Sequence, residues 1–181
     1  ERLQHVAGDQ PLSGEQLSAG VLALSSSDRF VVIQGVAGAG KTTLIRSMAT
    51  VAGEQGRGVL GLAMANKMVD MLREEAGISA ETIAAFVHAH LSAAEQGTGP
   101  RFEALREGLF GKILVLDEGS LVSTEAMNDL VLITNRMGVE RLVMIGDRKQ
   151  LQPIDAGKAF CLVQSHEPAM AHLEESLRQR T

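Results

Sequence analysis

The run Gly35-Val36-Ala37-Gly38-Ala39-Gly40-Lys41-Thr42, with Thr43 behind it, matches the spacing G-x-x-x-x-G-K-[ST]. Glycines at such spacing let the backbone curl until successive N–H groups face one anion, and a helix starting there adds partial positive charge. In that arrangement Lys41 neutralises β and γ phosphate oxygens, and the Thr42 hydroxyl ligates magnesium. The flanks suit it: Phe30-Val31-Val32-Ile33 is a short, largely β-branched run, and Leu44, Ile45 and Met48 follow at helical spacing. The loop is therefore expected to join a strand to a helix.

A second group of polar residues follows the apolar run Ile113-Leu114-Val115-Leu116, which leads into Asp117 and Glu118. Carboxylates at a strand end lie where open α/β sheets bind ligands. There Asp117 holds the magnesium shell and Glu118 polarises an attacking water; read alone, the pair serves equally as acids entering a loop. Gln16, upstream of the first strand, offers one donor and one acceptor to an adenine edge, and read alone it is a surface helix residue. Beyond Gly146-Asp147, Gln150 is placed to reach a γ phosphate or its attacking water, with Arg148 and Lys149 beside it and Pro153 ending the segment.

These residues need elements to hold them. Ser13 can cap a helix running to about Ser25, with Glu15 in its first turn. Strands are expected at 30–33, 59–64, 113–116 and 142–145, and helices at 67–75, 79–93 and 124–136. Strands separated by helices imply a parallel sheet covered on both faces, while 95–100 reads as a surface loop. The 181 residues are enough for one globular domain. Seventeen Lys and Arg against 22 Asp and Glu leave a net charge of -5, which excludes attachment to nucleic acid by bulk charge and leaves room for a local basic groove. Cys161 is the single cysteine, so no intrachain disulfide or cysteine zinc cluster can form. Without tyrosine there is no tyrosine nucleophile. The apolar runs fall short of the roughly 20 residues of a membrane span, and Glu1-Arg2 starts no signal peptide. His88 and His90, two apart, would point about 200° from one another on a helix and share no ion easily.

In this order the motifs resemble those of superfamily 1 helicases, in the RecD-like branch found in TraI/TrwC/TraA-type conjugative relaxases. Leu12-Ser13-Gly14-Glu15-Gln16 is similar to the family's adenine-reading glutamine motif, and Gly35 to Thr43 to its motif I. Ala63 to Lys67 with Leu72, and Thr82 to Phe86, resemble segments that meet single-stranded DNA. Asp117-Glu118-Gly119-Ser120 is similar to motif II and 146–153 to motif III. Leu173 with Arg178 resembles motif IV, whose arginine reaches the γ phosphate. The resemblance implies a P-loop NTPase (RecA-like) α/β fold of three layers, with residues 1–181 as one motor domain. ATP and Mg2+ are the implied cofactors, with Lys41, Asp117, Glu118, Gln150 and Arg178 as catalytic residues. It also implies DNA contacts through Asn66, Lys67, Thr82 and Phe86, 5′ to 3′ movement, and action in the cytoplasm.

Motifs V and VI find no counterpart before Thr181. The resemblance therefore implies a second RecA-like domain in a longer parent chain, with the conjugation machinery as a further partner and no unwinding by residues 1–181 alone. Two other classes remain open on sequence grounds: a catalytically degenerate, nucleotide-dependent module that holds DNA or a partner, and a small-molecule kinase on the same phosphate loop.

Overall fold

A computed structural model describes residues 1–8, 11–35, 38–147 and 169–173. Six strands, β1 (Phe30–Gly35), β2 (Val59–Ala63), β3 (Ser79–Thr82), β4 (Ile113–Leu116), β5 (Arg141–Gly146) and β6 (Ala169–Leu173), form one sheet in the order β3-β2-β4-β5-β1-β6. Every pairing is parallel. Between them run α1 (Arg2–Val6), α2 (Gly14–Ser25), α3 (Lys41–Glu54), α4 (Asn66–Glu75), α5 (Ile83–Gln96), α6 (Pro100–Leu109), a short 3-10 turn at Gly119–Leu121 and α7 (Thr124–Arg136).

The strands read as apolar runs because both faces are covered. Val31, Ile33, Ile113, Val115, Val143 and Ile145 pack under α1 to α4. Their neighbours Val32, Leu114, Leu116, Leu142 and Met144 point the other way, into a second core with Phe86, Phe102, Met127, Leu130 and Ile133 of α5, α6 and α7. This two-residue alternation into two separate cores makes three layers, as the sequence reading expected.

Helix α1 and the 3-10 turn are additions to that reading, and three further elements depart from it. Residues 79–82, expected in a helix, form the edge strand β3 alongside β2, and the helix starts only at Ile83. Helix α6 occupies a stretch from which no helix was read: Gly99 at φ 101 turns the chain and Pro100 opens the first turn, a position where its missing N–H costs nothing. Strand β6 was not foreseen either, since Ala169-Met170-Ala171-His172-Leu173 is poor in β-branched residues; pairing with β1 decides its state.

Arg141 opens β5 with only 5% of its surface exposed. Its guanidinium donates to the carbonyls of Ala23 at 2.6 Å, Asp28 at 3.1 Å and Ser26. It thereby satisfies backbone oxygens at and just beyond the C-terminus of α2, where positive charge is favoured. Arg141→Met is expected to lower folding stability by about 3 kcal/mol, measured as a shift of the urea midpoint. A shift within error would show that water replaces these bonds freely.

Candidate active site

In a parallel sheet all strands release the chain at the same edge. The residues after β1, β2, β3, β4 and β5 therefore converge there, and β5 lies between β1 and β4. Strand β1 ends in Gly35, where an added Cβ would lie 3.3 Å from Lys41 Cε and 3.4 Å from Leu173 Cδ1. Gly38 (φ 81) and Gly40 (φ 69) adopt left-handed backbone, which disfavours any side chain. Gly40 is also the N-cap of α3 and supplies no side-chain acceptor to the first turn. The first turn of α3 thus stands at the sheet edge with its N-terminal backbone uncapped by a side chain, a setting suited to an anion. Lys41, Thr42 and Thr43 begin the helix, each partly buried. Val36 and Ala37 lie outside the described residues.

Asp117 and Glu118 follow β4. The Asp117 N–H donates to Leu62 O at 2.9 Å, anchoring it against β2. Its Oδ1 accepts from the Glu118 N–H at 2.9 Å. Glu118 has φ 52 and is the one non-glycine residue with positive φ among those described, a conformation costing about 1–3 kcal/mol that is held at functional sites. It turns the carboxylate back across β5 toward α3, where Oε1 lies 3.4 Å from Lys41 Nζ. The two side chains are only 13% and 22% exposed. Glu118 Oε2 and the nearby Ser120 Oγ are buried without a hydrogen-bond partner among the described residues.

Burial pushes the Asp117 carboxyl above its ordinary value of 3.8, and the neighbouring Glu118 charge adds to the rise; Lys41 and the Glu118 N–H partly offset it. Because the folded-state value exceeds the unfolded one, this group's stabilising contribution is full below 3.8 and is lost as pH climbs through the raised value. Asp117→Asn removes that loss. In the ligand-free chain with a chelator present, the variant's melting temperature relative to the parent is expected to be level below this window, to rise across it and then to plateau. A difference that stays flat over the titration would contradict the assignment.

At the end of β5, Asp147 is 5% exposed and its Oδ1 accepts from Gln34 Nε2 at 3.3 Å. Gln34 escaped the sequence reading, although a polar residue closing an otherwise apolar strand was the available signal. Arg148, Lys149, Gln150 and Arg178 lie outside the described residues.

Gln16 is 2% exposed, and its Nε2 donates to Ala39 O at 2.9 Å and Gly40 O at 3.1 Å. One expectation changes. Phe86, expected to meet DNA, is fully buried. With α5 starting at Ile83, positions 83 and 86 share its inner face, and Phe86 packs in the second core with its ring 4.5 Å from that of His90. It cannot stack on a base. Thr82 caps α5, its hydroxyl accepting from the Ala85 N–H at 3.2 Å. Asn66 and Lys67 are exposed at the start of α4. The exposed Met64 just before them lines a groove of about 310 Å³ with Ile83, Ala84, Val87, His88, Ser123 and Ala126.

The AAA domain family matches residues 11–181. The probable conjugal transfer protein TraA of Sinorhizobium fredii is 35% identical over 170 residues, covering 93% of this chain and 14% of that protein. The multifunctional conjugation protein TraI of Escherichia coli K12 is 34% identical over 186 residues, covering 98% and 10%. The ATP-dependent RecD2 DNA helicase of Deinococcus radiodurans is 34% identical over 146 residues, covering 81% and 19%. The chain thus spans a small part of each relative. Among solved structures, the Pif1 helicase of Candida albicans superposes with a TM-score of 0.65 at 24% identity, covering 93% of this chain and 41% of that one, a likeness of fold. Among the described residues, no helix is long and apolar enough to cross a membrane.

Proposed function

This chain belongs to the AAA domain family, and from that membership we propose that it is the ATP-hydrolysing first motor domain of a RecD-like helicase, driving movement on single-stranded DNA during conjugative transfer. The observation that carries the reading is the meeting of Lys41 and Glu118 at 3.4 Å, with Asp117 beside them, on loops of two strands separated by β5.

In this reading the N–H groups of the loop and the first turn of α3 bind the β and γ phosphates. Lys41 exchanges Glu118 for a phosphate oxygen. That exchange frees the Glu118 carboxylate, already aimed by its left-handed backbone, to take a proton from the attacking water. As the water oxygen bonds to the γ phosphorus, the bond to the bridging oxygen breaks, and ADP and inorganic phosphate leave. The Thr42 hydroxyl and Asp117 are oxygen donors of the kind magnesium takes, and Asp117 is an acid whose burial and anionic neighbour disfavour its charge unless a cation joins it. When bound, the ion neutralises charge on the phosphate oxygens. Gln150 and Arg178 are assigned to the water and the γ phosphate on motif order alone.

Asn66, Lys67 and the groove at Met64 supply one wall for a single strand; Thr82 stands at the end of the neighbouring strand β3. A second motor domain of a longer parent chain supplies the other wall, and the cytoplasm and the conjugation machinery are the proposed setting.

The test is titration of a labelled single-stranded oligonucleotide at fixed low salt, with and without magnesium and a non-hydrolysable ATP analogue. Affinity that changes with nucleotide supports a motor domain, because two sites are then coupled. A chain that binds no nucleotide overturns the reading. The 181-residue chain is expected to separate no duplex, and strand separation by it would overturn the need for a second domain.

A further inference from the structure

We propose that Ser120 is a positioning residue that holds the Glu118 carboxylate for hydrolysis once Lys41 has turned to a phosphate. The inference rests on the reading that Glu118 is the base of the proposed reaction.

Two polar atoms of one turn are buried with nothing to bond. Glu118 Oε2 is an acceptor and Ser120 Oγ can donate, and neither has a hydrogen-bond partner among the described residues. Ser120 is 1% exposed, so bulk water does not reach its hydroxyl. A buried hydroxyl left unmatched lowers stability, whereas alanine would fill almost the same space without that loss. A polar group kept at such a cost points to a partner gained in another state.

The chain places that partner close by. Glu118, at φ 52, leads into the 3-10 turn Gly119–Leu121, which the Leu121 N–H closes by donating to Glu118 O at 2.9 Å. Residues two apart lie at most about 7 Å from Cα to Cα, within the joint reach of a glutamate and a serine. The two carboxylate oxygens then divide the work. Oε1 faces Lys41 at 3.4 Å, and this attraction draws the carboxylate across β5 toward α3. When Lys41 leaves for a phosphate oxygen the attraction ends, and the side chain is free to swing. A hydrogen bond donated by the Ser120 hydroxyl to Oε2 satisfies both unmatched atoms at once. It leaves the lone pairs of Oε1 for the proton of the attacking water. The left-handed backbone aims the glutamate, and Ser120 fixes its far end.

The test combines single-turnover hydrolysis with protein in excess, calorimetric binding of ATP with magnesium, and thermal denaturation without nucleotide. Ser120→Ala is expected to slow hydrolysis by about tenfold and to leave ATP affinity unchanged. Its melting temperature should equal or exceed the parent's, because the change removes a buried hydroxyl that lacks a partner. Ser120→Cys, close to serine in shape and a weak donor, should hydrolyse at a rate between the two, and it carries the comparison if the alanine variant is poorly folded. In a Glu118→Gln background Ser120→Ala should slow hydrolysis no further, since the carboxylate it serves is gone. A serine that only packs the turn would lower the melting temperature and slow both backgrounds alike, and that result overturns the inference. Hydrolysis at the parent's rate by both Ser120 variants overturns it as well. Hydrolysis at the parent's rate by Glu118→Gln overturns the base assignment in the proposed function, and this inference with it.

Discussion

Glu118→Gln is expected to slow ATP hydrolysis by about 10²–10⁴-fold while the chain still binds ATP and magnesium. The glutamine retains the volume and hydrogen-bonding reach of Glu118 and sits at the same strained backbone position, but it cannot accept the proton of the attacking water. It also removes the charge that faces Lys41, which is the charge that helps raise Asp117. Triphosphate affinity is therefore expected to hold or improve. The measurement is single-turnover hydrolysis with protein in excess, together with calorimetric binding of the same nucleotide. Undiminished hydrolysis would remove Glu118 as the base, and loss of binding would mean that its main work is structural.

Lys41→Ala is expected to weaken ATP binding by about 10–100-fold, since charge-assisted bonds to phosphate are worth about 1.5–3 kcal/mol. The second effect of the change is less obvious. Without Lys41, the Asp117 and Glu118 carboxylates stand side by side with their nearest counter-charge gone, so the ligand-free variant should also melt lower than the parent at neutral pH. Adding Glu118→Gln should restore part of the melting temperature and none of the affinity. Partial rescue of stability in the double variant, read by thermal denaturation, is the outcome that ties the two residues into one device. Additive losses would separate them.

Much of this architecture was legible in the chain itself. The apolar runs at 30–33, 113–116 and 142–145 lie within strands, and 67–75 and 124–136 within helices, because a buried parallel strand needs an unbroken apolar run and a helix a repeating stripe. Ser13 caps α2 as its position before the helix indicated, and Gly35, Gly38 and Gly40 stand where a side chain would clash or strain. Each of these follows from residues within a turn or two of one another.

The rest depends on partners distant in sequence. Ser79-Ala80-Glu81-Thr82 and Ala169-Met170-Ala171-His172-Leu173 are strands because β2 and β1 pair with them; neither run signals it alone. Phe86 looked available for DNA until the start of α5 at Ile83 set which face turns to the core. Arg141, inside an apparently apolar run, answers carbonyls as far as 118 residues away. Gln16 stands at the start of α2, and its side-chain amide donates to carbonyls of a loop 23 and 24 residues further on. Local patterning determined which elements exist and that a phosphate loop and an acid pair would share one sheet edge. Only the packed tertiary structure decided which faces are buried and where each polar hydrogen goes, because hydrogen-bond partners and burial are properties of chain segments brought together.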